Sequence, residues 1–190
     1  MLSEKNSCGL IIVDIQGNLA DLVKDGKNLQ SRVMTLVTLC QAQKRPVILC
    51  EQMPEKLGAT VRQISDAAGA ASRFQKSSFN AMQNTDFKNA ALGAERWAVV
   101  GIEAHICVYQ TVKGLMAEGI GVSLVTDAVS SRHAGDREVA IRSMQAAGVR
   151  LTTTEMQLYE WLERADTSLY KQMLPLIKAL PPNASSDNPQ

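Results

Sequence analysis

What most restricts this chain is a repeated switch of hydrophobic period. Leu10, Ile11, Ile12 and Val13 are consecutive and apolar, as in a strand buried on both faces. Leu29, Val33, Leu36, Val37 and Cys40 then recur at helical spacing, with Asn28 as the expected N-cap. The alternation continues. Strands are expected at 9–15, 46–50, 97–101, 122–126 and 149–152. Helices are expected near 60–68, 85–92, 108–116, 136–147, 154–161 and 168–180, with Pro175 kinking or restarting the last. Gly119 and Gly148 suit positions just past helix ends, and Thr154 with Gln157 has capping-box spacing. Residues 51–84 are the least regular, with a polar loop around 73–78. Such alternation predicts a parallel sheet with helices on both faces, right-handed crossovers, and a ligand crevice at the carboxyl ends of the strands.

Composition narrows the partners. Of 190 residues 45% are hydrophobic, enough to bury a core, so global disorder is excluded. Twenty Lys and Arg against nineteen Asp and Glu leave a net charge of +1, which gives no field to gather phosphates. Nucleic acid is therefore not the expected partner. No apolar run approaches the ~20 residues of a membrane span, so no membrane is expected either. The polar start, residues 1–7, reads as neither signal nor transit peptide. Cys8, Cys40, Cys50 and Cys107 are widely spaced, which fits separate reduced thiols and a cytoplasmic setting. With only His105 and His133, a His-rich zinc site cannot be built. One domain is expected over 1–180, followed by a frayed tail, 181–190.

A few residues could carry chemistry. Asp14 interrupts an apolar run near the end of the first strand; it is either a loop cap or a functional carboxylate, which there must be paired or have a raised pKa. Cys107 follows a strand by a short loop. It should sit in the first helical turn, where free N–H groups and the helix dipole lower a thiol pKa; the alternative is a small buried hydrophobe. Cys8, Cys40 and Cys50 read as the latter. Lys76 is locally indistinguishable from Lys88 or Lys113. His105 is two residues from Cys107, a spacing that does not face one helical residue toward another. His133 lies in a loop that could line the crevice or simply be solvated. Tyr159 and Trp161 read as packing residues. No G-x-G-x-x-G follows a strand, which disfavours a nucleotide-binding Rossmann domain.

Several segments together resemble the isochorismatase-like cysteine hydrolases. They are 10–16 (Leu-Ile-Ile-Val-Asp-Ile-Gln), 101–108 (Gly-Ile-Glu-Ala-His-Ile-Cys-Val) with Gln110-Thr111, and 126–132 (Thr-Asp-Ala-Val-Ser-Ser-Arg). Lys76, with Ser78 and Phe79 behind it, falls where that family has its lysine. Glu51-Gln52-Met53-Pro54, Leu57-Gly58 and 152–155 point to the isochorismatase domain-containing subgroup. The resemblance implies a three-layer α/β/α sandwich with a mainly parallel, Rossmann-like sheet. It also implies a triad of Asp14, Lys76 and Cys107, and an oxyanion hole from the backbone N–H groups of Glu103 and Cys107. A cis peptide is implied between Ile102 and Glu103, and a dimer or larger homo-oligomer. Nicotinamidases of the family bind metal after the second strand through Asp and His. Here that stretch is Cys50-Glu51-Gln52-Met53, without His, so no metal and no cofactor are expected.

The expected activity is hydrolysis of a small-molecule amide through a Cys107 thioester. Two alternatives stay open. One is hydrolysis of another small substrate, such as isochorismate or a carbamoyl compound; the other is a non-catalytic binding or scaffold member.

Overall fold

The structure is a computed structural model, in which residues 8–183 are described. The run that opens the chain forms β1 (Cys8–Val13), and its apolar residues are buried on both faces. Leu10 and Ile12 enter one core cluster, Ile11 and Val13 the other. This is the period-2 alternation of a strand that needs cover on each side. The other strands are β2 (Val47–Gln52), β3 (Ser72–Lys76), β4 (Arg96–Ile102), β5 (Gly121–Ser130) and β6 (Arg150–Thr152). They form one parallel sheet in the order β3-β2-β1-β4-β5-β6.

Among the described residues nine α-helices flank them: α1 (Leu19–Leu22), α2 (Gly26–Gln43), α3 (Pro54–Leu57), α4 (Arg62–Ala68), α5 (Thr85–Ala91), α6 (Tyr109–Ala117), α7 (Ala134–Ala146), α8 (Thr154–Leu162) and α9 (Ser168–Lys178). Residues of α2, α4, α8 and α9 pack on one face of the sheet, and residues of α5, α6 and α7 on the other. The result is the three-layer α/β/α sandwich with a parallel, Rossmann-like sheet.

Several local expectations need correction. The stretch 73–78 is not simply a loop: Ser72–Lys76 pairs in parallel with β2 as an edge strand. Its exposed Ser72, Arg73 and Gln75 hide the strand pattern. Asn28 is not the N-cap of α2. That residue is Asp25, and the Asn28 amide donates back to Asp25 Oδ1 at 2.5 Å. The cap of α8 is Thr153, whose hydroxyl accepts from Met156 N; Thr154 binds Asp127 instead. The last helix runs through Pro175 from 168 to 178. β5 runs past the expected end at 126 to Ser130, with a register shift opposite Val99–Gly101. Two arginines take up the carbonyls of this irregular stretch. Arg137 donates to Val129 and Thr126, and buried Arg32 donates to Asp127 O and to Pro182 O. Of the tail expected to fray, residues 184–190 lie outside the described residues, as do residues 1–7.

Candidate active site

The strand order reverses direction of growth at β1, which lies between β2 and β4. The carboxyl ends of β1 and β4 therefore flank the crevice that such a sheet opens at its switch point. Gly101 on β4 pairs with Val13 on β1. A Cβ at Gly101 would stand 2.1 Å from the Val13 carbonyl oxygen, and its φ is +130°. Only glycine lets the two strands close here. Asp14 follows at φ 52°, a left-handed conformation that Asp tolerates better than most residues.

Lys76 ends β3, two strands away, and its side chain reaches across β2. Its Nζ donates to Asp14 Oδ2 at 2.7 Å, with both side chains 2% exposed. A second bond, also 2.7 Å, runs to Gln52 Oε1. Asp14 Oδ1 is buried and has no hydrogen-bond partner among the described residues. Cys107 completes the group. It lies in a π-helical turn, Ala104–Val108, that leads into α6 and is closed by Val108 N donating to Glu103 O at 3.2 Å. Its thiol interacts with both Asp14 and Lys76. The peptide between Ile102 and Glu103 is cis.

The electrostatics differ from what a helix N-terminus alone suggests. Burial, then the neighbouring Asp14 carboxylate, push the Cys107 thiol up to about 12, and Lys76 only partly offsets them. Burial likewise raises Asp14 above the usual carboxylate range, against the Lys76 ammonium. Burial thus shifts both groups toward their protonated forms, and among the described residues the Lys76 ammonium is the neighbouring charge that shifts either one back toward ionisation.

The structure brings Asp14, Lys76 and Cys107 together, with the backbone of Glu103 at the start of the same turn. It does not bring the histidines in. His105 Nδ1 is 2.9 Å from Ser131 Oγ, and His133 is exposed before α7. Trp161 is buried under Arg45, and Tyr159 sits beside Tyr170 at the surface. All four cysteines are free thiols. Two participants went unread in the sequence, Gln16 and Gln52. Gln52 N donates to Gln16 Oε1 at 2.6 Å, and Gln16 Nε2 donates to Gln52 O at 3.1 Å and Gly58 O at 2.6 Å. The clue was available: each is a polar residue at the carboxyl end of a strand, like Asp14. Glu103 also contributes a buried carboxylate, held by Arg132 N at 2.9 Å and Arg132 Nε at 3.0 Å.

The end of β2 does not suit a metal. Cys50 is buried, Glu51 Oε1 accepts from Thr60 N and Oγ1, and Gln52 is engaged by Lys76. Among the described residues no group of three His, Cys, Asp or Glu side chains is placed to hold a metal ion.

The family model of the isochorismatase domain matches residues 8–156. The chain belongs to the isochorismatase family. It is 32% identical to isochorismatase domain-containing protein 2 of Danio rerio, over 93% of this chain and 89% of that one. Among solved structures it resembles the MAR1 ribonuclease of Caenorhabditis elegans, with a TM-score of 0.91, 29% identity and coverage of 98% of this chain and 97% of that one. It also resembles the Escherichia coli YcaC gene product, described as an octameric hydrolase of unknown specificity. There the TM-score is 0.83, with 25% identity and coverage of 93% and 92%. The coarse class is an isochorismatase-family hydrolase.

Proposed function

We propose that this protein is a cysteine-dependent hydrolase that cleaves a C–N bond in a small-molecule amide through a thioester on Cys107. The observation that carries the reading is the buried Lys76–Asp14 pair, whose carboxyl interacts with the Cys107 thiol and keeps one oxygen, Oδ1, without a hydrogen-bond partner among the described residues. That oxygen is free to take the Cys107 proton. The thiolate then attacks the amide carbonyl carbon, forming the C–S bond, and the charge on oxygen is met by the backbone N–H groups of Glu103 and Cys107. One such donor is worth about 3–4 kcal/mol of barrier. Collapse breaks the C–N bond, and the amine leaves with the proton held by Asp14. Asp14 next takes a proton from water, the resulting hydroxide cleaves the thioester, and the acid leaves as Cys107 regains its proton. The Lys76 ammonium offsets the charge on whichever neighbour is ionised.

The ribonuclease named for the Caenorhabditis elegans relative makes RNA a second candidate substrate. The balanced charge of this chain, +1 overall, supports the small molecule instead. A homo-oligomer in a cytoplasmic setting belongs to the same proposal. Its support is the octamer reported for the YcaC neighbour and four unbridged cysteines.

The test is a screen over small amides and RNA with Cys107→Ala as control. Turnover of an amide should fall at least about a thousandfold in the variant, with an unchanged circular dichroism spectrum. Trapped wild-type enzyme should carry an acyl adduct on Cys107 by mass spectrometry. Undiminished amide hydrolysis by Cys107→Ala removes the proposal.

A further inference from the structure

Two buried glutamines close the amine side of the site, and the reaction above gives neither a role. Gln52 ends β2 and is the register neighbour of Lys76 on β3, so the two side chains rise from the same face of the sheet. The Lys76 Nζ is 2.7 Å from Gln52 Oε1 and 2.7 Å from Asp14 Oδ2. The Gln52 amide has one workable orientation. Its Nε2 donates to Ser77 O at 2.8 Å, so a flip would set oxygen against oxygen and NH2 against the ammonium. Gln16 fixes the Gln52 backbone from both sides and ties it to Gly58 O.

An ammonium has three protons at tetrahedral angles. One goes to Asp14 and one to Gln52, which directs the third toward the remaining side, where the Cys107 sulfur interacts with Lys76. We infer that Gln52 is a positioning residue, setting the rotation of the Lys76 ammonium so that one proton faces the acid and another faces the sulfur. This rests on Cys107 being the nucleophile. The titratable groups around the sulfur are Asp14 after β1, Cys50 on β2 and Lys76 on β3; Glu51 on β2 acts on Cys50. Glu103 and His105 of the same turn are held by Arg132 and Ser131.

The experiment uses the full chain and iodoacetamide as probe, with labelling of Cys107 followed by peptide mass mapping across neutral and alkaline pH. Gln52→Leu should slow labelling at neutral pH roughly tenfold, and raise by about one unit the pH needed to reach a fixed rate. Lys76→Met should slow it further. Thr60→Val, which removes a hydroxyl bond to Glu51 but leaves the ammonium alone, should reproduce the wild-type profile. If Gln52→Leu does not fold, Gln52→Met carries the same expectation. A shift in Lys76→Met with none in the Gln52 variant overturns the inference and leaves the proposed function standing. Equal shifts in Gln52→Leu and Thr60→Val also overturn it, because they reduce Gln52 to a structural part. No shift in Lys76→Met overturns both.

Discussion

At the scale of single residues, Cys107 is held between opposing influences. Burial and Asp14 keep its proton on; Lys76 favours taking it off. Its thiol shifts from 9.0 to about 12, which has a consequence for stability with a definite sign. Below about pH 9 the thiol is protonated whether the chain is folded or not. Above that the unfolded chain releases the proton and the folded chain keeps it, so stability falls as pH rises toward 12. Urea unfolding at about pH 8 and about pH 10 should show the wild type losing about 1 kcal/mol more than Cys107→Ala over that interval. The residues of the site were unevenly legible. Asp14 stood out as a charge inside an apolar run, and Cys107 by its place after a strand. Lys76 did not, because its one distinguishing property, a bond spanning 62 positions to Asp14, is absent from local sequence. Only the family resemblance singled it out. Gln16 and Gln52 escaped because a neutral amide breaks an apolar pattern less sharply than a charge does.

At the scale of elements, the site depends on how closely β1 and β4 approach. Gly101→Ala forces a methyl group onto the Val13 backbone at a φ of +130°. The variant should lose about 2–4 kcal/mol, read as a lower urea midpoint, and slow Cys107 labelling with it. Arg32 supports the far side of the sheet. It is 3% exposed, pairs with Asp25 at 3.1 Å and Asp127 at 3.5 Å, and binds the carbonyls of 181 and 182. Arg32→Ala should cost about 3–5 kcal/mol, because it leaves the Asp127 carboxylate with one fewer partner in a protected place. Helix ends were the least legible elements. Where a glycine was required at positive φ, as at Gly119 and Gly148, the reading agreed with the structure. Where two hydroxyl or amide residues stood side by side, as at Thr153 and Thr154, packing against Asp127 decided which became the cap. The edge strand β3 was lost because polar side chains cover it on its open side.

At the scale of the whole molecule, the alternation of periods was sufficient to read the parallel sheet with helices on both faces, since each apolar run buried on both faces demands two covering layers. No helix among the described residues is long and apolar enough to cross a membrane. Whether copies associate was not legible, because an apolar helix face looks the same in a core and in an interface. Leu22, Phe79 and Val139 are each more than half exposed. For the homo-oligomer proposed above, sedimentation should give at least twice the monomer mass; a monomer mass removes that part of the proposal. The three side chains at the head of β1 and β4 are enclosed. Cys107 shows 7% of its surface, and Asp14 and Lys76 less. So little of the thiol meets solvent that iodoacetamide should modify it far more slowly in the native protein than in urea, a contrast that peptide mapping reads directly.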